Sequence, residues 1–342
     1  MSIHTHQYFL RGFLLILLLL GAQAVPAADK PQPAPVKLKM VLLPYLTHAP
    51  FFIAEEEGYF AEEGIQIEFV RLPRQAEAVP SLAQSDLDVI GGATSVALLN
   101  AMARGARIKF VAERGYISST GCTFSGLMAR NTLLETGELD GPAQLKGRRI
   151  SLILTTFTGY NLNRLLKKAD LTLDDVEIKY LPANMRPEAL ESGTIDLTGT
   201  AEPWITRMSQ AGQASLWISD SQELPDFSLG VVLYGPTLLE KNPDAGRRFM
   251  VAYLKAVRQY NLGKTERNLE ILTKHTKLDK ELLRQACWPS FRENGQINAQ
   301  SITEFQDWAV KTKLLDSPVT VEQFWDPSFA EHANKVLEAS PK

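Results

Sequence analysis

Four short stretches gather the side chains suited to recognising a small molecule: "PYLTHAP" at 44–50, "GGATSVA" at 91–97, "LTTFTGY" at 154–160 and "GTAEPWI" at 199–205. Each follows a strand-like run and opens a helix-like one. In open α/β sheets that is where ligands sit, because helix N-termini direct unpaired N–H groups outward beyond the strand ends. In the first stretch Tyr45 offers a ring to stack on a planar solute, while Thr47 and His48 either cap the helix or meet the ligand. In the second, Gly91 and Gly92 allow close backbone approach, and the Thr94 and Ser95 hydroxyls serve as N-cap, ligand contact or both. The third crowds Thr155, Thr156 and Thr158 at a helix start beside Phe157 and Tyr160. Hydroxyls with free N–H groups suit a carboxylate, sulfonate or phosphate, and the aromatics suit a flat ring. In the fourth, Glu202 would attract an amine, an amidine or a ring N–H, or else form a salt bridge to Arg186 or Arg114, and Trp204 adds another aromatic face. This is the chemistry of holding rather than of reacting. The sequence contains neither GxSxG, HExxH, a zinc-type Cys/His spacing nor a P-loop, and no metal or cofactor is expected.

Positioning such loops requires strands and helices in alternation, and the sequence supplies them. "LKMVLLP", "IQIEFVRL", "LDVIGG" and "IKFVAERGY" read as strands separated by helical stretches, and a second series follows in "RRISLIL", "VEIKYLP", "DLTGTAEP" and "ASLWIS". Two consecutive series of this kind predict α/β architecture with mainly parallel sheets. "CTFSGLMAR" at 122–130 and "SLGVVLYGP" at 228–236 read as strands outside the alternation. A helical tail follows Thr237, including the amphipathic "RRFMVAYLKAVRQYNL". Pro50 starts the first helix, Gly58 and Gly64 end successive turns, Phe51 and Phe52 face the sheet, and the acidic face Glu55 to Glu57 is expected in water.

The chain of 342 residues is 45% hydrophobic and 22% charged, an ordinary globular composition with room for two domains. Arg11 followed by an apolar run to Leu20 and by Gly21-Ala-Gln-Ala24 has the pattern of a secretory signal peptide, read as cleaved after Ala24, with Ala27 or Ala28 as alternatives. Residues 25–37 read as a Pro/Ala-rich linker. Removal of residues 1–24 takes only Arg11, leaving 39 acids against 35 of the 36 bases, so neither nucleic acid nor an anionic membrane is an expected partner. No cysteine near the cleavage point could carry a lipid, so a soluble exported protein is expected. Cys122 and Cys287 are read as buried free thiols, with a disulfide as the alternative that an oxidising compartment would permit.

Four stretches in order, "APFFIAEEEGYFAEEGIQIEFV", "LDVIGGATSVALLNAMARGARIKFVA", "LKGRRISLILTTFTGYNLNRLL" and "LPANMRPEALESGTIDLTGTAEPW", resemble the periplasmic substrate-binding proteins of ABC importers in the nitrate/sulfonate/taurine and thiamine-pyrimidine (NMT1/THI5-like) group, across roughly residues 38–236. The resemblance implies a two-lobed periplasmic-binding-protein fold of type II. Lobe one would comprise 38–121 with 228–342, lobe two 122–227, and the two exceptional strands would be the crossings. It further implies a small-molecule solute in the cleft, a monomer in the periplasm, and an ABC permease in the inner membrane as partner. The ligand residues expected on this basis are Tyr45, Thr47, His48, Thr94, Ser95, Thr155, Phe157, Thr158, Glu202 and Trp204. The loops lean towards a small organic solute, sulfonate- or taurine-like or a thiamine-precursor pyrimidine. A ligand-sensing clamp for a receptor is the alternative. The pyrimidine-synthesis enzymes of the same group are a remoter one, since they carry a cysteine-rich active-site segment that this chain lacks.

Overall fold

A computed structural model describes residues 35–70 and 77–339. The signal peptide read at 1–24 and most of the linker lie outside the described residues. The linker's last three positions do not: Pro35 is described, β1 runs Val36–Val41, and Val36 and Lys37 pair with Ile65 and Gln66, so the first strand begins two residues ahead of Leu38.

Two five-stranded sheets repeat one plan. The first has the order β2 (Ile65–Phe69), β1, β3 (Val89–Ala93), β10 (Gly230–Tyr234), β4 (Lys109–Glu113). The second has β7 (Glu177–Lys179), β6 (Arg149–Ser151), β8 (Leu197–Ala201), β5 (Ser125–Arg130), β9 (Ala214–Ser219). Within each, the outer three strands are parallel, and one strand runs antiparallel to both neighbours: β10 between β3 and β4, β5 between β8 and β9. These two are the strands that interrupted the sequence alternation. They lie wholly inside their sheets, and the chain passes from one lobe to the other in the runs 114–124 and 220–229 that precede them. Buried on both faces, β10 reads Gly-Val-Val-Leu-Tyr without a polar residue.

The crossing runs form a ribbon. Ile117 N–H donates to the Phe227 carbonyl (2.9 Å), Asp226 N–H to Ile117 (2.8 Å) and Leu229 N–H to Gly115 (2.9 Å), and Tyr116 is bridged to Ser228 on one side and to Ser290 of the tail on the other. The tail therefore meets the other edge of this ribbon at Ser290. Its main helix, Pro243–Tyr260, is amphipathic and supplies much of the first core: Phe51 packs on Phe249 and Tyr253, and Phe60 stacks on Phe249 at 4.9 Å. Phe52 stacks on His275 at 4.6 Å. The acidic face beside it is not simply solvated, because the helix Glu266–Thr276 lies against it: Glu56 pairs with Lys274 and His275, and Glu57 with Arg267. Gly58 and Gly64 hold φ of 75° and 63°, the left-handed turns expected of them.

Asp220, where β9 meets the second crossing run, is buried, with Asn161 and Ser125 as hydrogen-bonding neighbours. Burial disfavours its charge and pushes its pKa from 3.8 up to about 6, against the smaller opposing effect of those bonds. A raised carboxyl pKa means the native state binds protons more tightly than the unfolded one. The stability linked to Asp220 is therefore full below about pH 4 and is lost as pH rises to about 6. Asp220→Asn should gain roughly 2–3 kcal/mol relative to the wild type between those limits and no more above them, read from urea melts at stepped pH. A difference that stays flat across the window would show that Asp220 ionises normally.

Candidate functional site at the facing strand ends

Beyond β1 the chain makes a short 3₁₀ turn, Leu46–His48, and enters the helix Ala49–Glu56 with Pro50 in its first turn. Neither Thr47 nor His48 caps that helix through its side chain; both turn to Arg114 instead. Thr47 Oγ1 accepts a hydrogen bond from Arg114 Nη1, and His48 Nδ1 lies 3.3 Å from the same nitrogen. His48 is 1% exposed and packs between Tyr45 and Phe51, whereas Tyr45 is 48% exposed.

Arg114 follows β4 directly, and its side chain lies across the neighbouring strands. It can do so because Gly230 and Gly91 present no side chain. A Cβ on Gly91 would sit 2.8 Å from Arg114 Cδ and 3.0 Å from both Arg114 Nε and His48 Nε2; on Gly230 it would sit 2.8 Å from Arg114 Nη2. The guanidinium is 5% exposed, and no carboxylate among the described residues pairs with it. The adjacent acid, Glu113, is taken by Arg292, which pairs with it through the side chain and donates its N–H to Oε1 at 3.1 Å. Burial lowers the Arg114 pKa to about 10, so the charge persists at neutral pH. Burial, and then the Arg114 charge, hold His48 well below the usual histidine range. The imidazole is therefore neutral at pH 7. With Nδ1 facing the Arg114 donor, its proton belongs on Nε2. Arg114 Nε and His48 Nε2 are two buried nitrogens without a hydrogen-bond partner among the described residues.

A second group forms where the lobes touch. Val96 N–H donates to the Thr155 carbonyl at 3.0 Å, and Ser95 is bridged to Thr156. Ser95 occupies the N-cap position of the helix Val96–Ala103 and Thr156 that of Phe157–Lys167, but neither hydroxyl caps. Thr94 Oγ1 donates to the Ser228 carbonyl (2.7 Å) and so ties the loop to the crossing run. Thr156 Oγ1 and Thr158 Oγ1 lie 2.9 and 3.0 Å from the Ile153 carbonyl and 2.9 Å from each other, and their two protons serve two of these three contacts, so the hydroxyls brace their own loop. Phe157 is half-buried against Phe227.

Glu202 accepts three hydrogen bonds, from Thr206 N–H (3.0 Å), Thr206 Oγ1 (2.9 Å) and Cys287 N–H (3.2 Å). The salt bridge to Arg186 or Arg114 is not made, because Arg186 donates to the Leu181 and Gly199 carbonyls at 2.9 and 2.8 Å. Trp204 is half-buried on the second lobe's smaller core, with Arg207 5.2 Å above its ring. Cys122 and Cys287 are joined in a disulfide, which corrects the reading of two free thiols: the fold brings the first crossing run beside the tail, a proximity that 165 residues of separation conceal. The residue that sequence reasoning did not fix in place is Arg114. Its signal was the set of glycines, Gly91 and Gly230, that clear its path. Among the described residues there is no cluster of metal-ligating side chains and no helix long and apolar enough to cross a membrane.

The description NMT1/THI5 like fits residues 46–261, more than half of the chain, and the chain belongs to that family. Comparison with curated protein sequences returns no match. Among solved structures, the chain is similar to a ligand-binding component of an ABC-type import system from Staphylococcus aureus (TM-score 0.72, 17% identity, 87% of this chain and 99% of the other). It is similar to the periplasmic aliphatic sulphonate binding protein SsuA of Escherichia coli (0.69, 16%, 86% and 93%). The desulfurization enzyme DSZB shares the architecture too (0.63, 16%, 88% and 99%). The two-lobed periplasmic-binding-protein fold is thus common to binding proteins and at least one enzyme.

If Arg114 occupies the path the glycines leave, their substitutions must be coupled to it. Gly91→Ala should cost about 1–3 kcal/mol through overpacking. In the double variant Gly91→Ala/Arg114→Ala most of that cost should vanish, as urea melts in a double-mutant cycle would report. Additive losses would mean that the two positions do not share this space.

Proposed function

We propose that this protein is the solute-binding component of an ABC import system, exported to the periplasm, which captures a small organic anion between its lobes and delivers it to an inner-membrane permease. The lobes are 38–121 with 228–342, and 122–227, a division supported by the separate membership of the two sheets. The observation that carries the reading is the buried Arg114 side chain, without a carboxylate partner among the described residues, set beside Thr47 and His48 at the strand ends. A cation already stripped of water and held in place gains more from an incoming anion than a flexible surface cation would, because the desolvation and ordering have been done on folding.

The sequence left two solute classes open, a sulfonate and a pyrimidine. Glu202, the group that would have drawn an amine or a ring N–H, has its oxygens occupied by Thr206 and Cys287, which favours the anionic class. The aliphatic sulphonate named for the Escherichia coli relative agrees with that choice. Tyr45 and Trp204 are the apolar faces for the rest of the solute, and Ser95, Thr155 and Thr158 belong to the loops that meet over it.

A thermal-shift screen of sulfonates, aromatic and aliphatic carboxylic acids, nitrate, amino acids and thiamine-pathway pyrimidines tests the reading. A true ligand at a hundredfold over its Kd should stabilise the fold by about 2.7 kcal/mol. The anions should supply the hits, and Arg114→Gln should lose them while keeping its far-ultraviolet spectrum. Hits confined to neutral or cationic solutes, or an Arg114→Gln variant that responds like the wild type, would overturn it.

A further inference from the structure

The disulfide joins two parts of the hinge that are anchored very differently. Cys287 belongs to the tail run 286–291, which is locked into the first lobe. Tyr260 of the core helix stacks on Trp288 (5.3 Å) and meets Phe291 edge-on (4.8 Å), and its hydroxyl donates to the Pro289 carbonyl (2.8 Å). Lys264 Nζ donates to the Ala286 carbonyl (2.8 Å) and Trp288 Nε1 to Leu283 (2.9 Å). Cys122, in contrast, stands at the far end of the first crossing run, three residues before β5 enters the second sheet. Three residues span at most about 10 Å of chain, so the second lobe cannot move far from the point where Cys122 is held.

The same tail run touches the second lobe directly. Cys287 N–H donates to Glu202 Oε1 at 3.2 Å, and the side chain of Gln285 accepts a hydrogen bond from Gln210. Away from the disulfide the lobes meet through non-covalent contacts: Val96 N–H to the Thr155 carbonyl, and Tyr160 against Phe305 (5.9 Å), Trp308 (5.4 Å) and Phe227 of the second crossing run (6.3 Å).

We propose that the Cys122–Cys287 disulfide is a hinge tether that keeps the Glu202 flank of the second lobe on the first lobe in open and closed states alike, so that opening is confined to the Thr155–Tyr160 flank. Hinge motion breaks hydrogen bonds and aromatic contacts but not a covalent bond. The flank beside the disulfide acts as the pivot and the opposite flank as the jaw. A simple staple, acting on the unfolded chain, would stabilise every part of the fold alike. The tether holds whichever solute the clamp carries, so its failure and the failure of the functional reading are separate results.

Two backbone amides report the two flanks without any ligand: Val96 N–H the jaw and Cys287 N–H the pivot. Hydrogen exchange by NMR should find, in the oxidised protein, Val96 exchanging at least tenfold faster than Cys287. In Cys122→Ser, which leaves Cys287 in place, the Cys287 amide should accelerate at least tenfold, while Val232 in the core strand β10 stays within twofold of its wild-type rate. The wild type treated with a phosphine reductant provides the same comparison should the variant fold poorly. An unchanged Cys287 amide would overturn the tether. So would acceleration of Cys287 and Val232 together, or loss of the fold in both preparations, since either would make the disulfide a general staple.

Discussion

A buried positive charge that no carboxylate among the described residues pairs with is the constraint around which this molecule is arranged. Removing a guanidinium from water costs several kcal/mol unless hydrogen bonds or an opposite charge offset it. Here the fold supplies Thr47 Oγ1 and the neutral His48 imidazole, and directs the nearest carboxylate, Glu113, to Arg292 instead. The surrounding choices follow. Gly91 and Gly230 lack side chains where Arg114 crosses, and His48 stays uncharged because burial disfavours its charge and, secondarily, Arg114 would repel a second cation. The strand order brings β1, β3, β10 and β4 side by side, so that one side chain from the end of β4 reaches the loop after β1. An anion arriving between the lobes would supply the missing charge and would be held by groups already in position.

The closing geometry rests on the same strand ends. Loops that leave the first sheet meet loops that leave the second, and the contact is made largely by backbone, as between Val96 and Thr155. Side-chain hydroxyls hold the loops in shape: Thr94 on the Ser228 carbonyl, Thr156 and Thr158 on that of Ile153. A ligand would shift an open–closed equilibrium only through its preference for the closed form.

Much of the fold was legible because period and punctuation are local. Alternating strands and helices, Gly58 and Gly64 at left-handed turns, and the two strands that interrupt the alternation were all readable from neighbours in sequence. What could not be read depended on distant partners. The acidic face at Glu55 to Glu57 looked solvated because its cover, the helix Glu266–Thr276, lies two hundred residues on. Cys122 and Cys287 looked unrelated for the same reason. At the site, sequence reasoning assigned the loop hydroxyls to caps and ligand, where the structure turns several of them onto backbone carbonyls. Arg114 was visible only as one of two basic residues that might meet Glu202. Three elements distant in sequence, Thr47 with His48, Gly91 and Gly230, together define its position.

The central claim is that Arg114 waits, charged and unpaired, for an anionic group. Its Nε–H has no acceptor among the described residues, so the ¹⁵Nε resonance of Arg114 is the most direct reporter. Titration with a bound sulfonate or carboxylate solute should move that resonance and slow exchange of its proton, whereas the uncharged amide of the same solute should leave it in place. An Nε signal that stays unmoved while the anion binds elsewhere in the cleft would contradict the account.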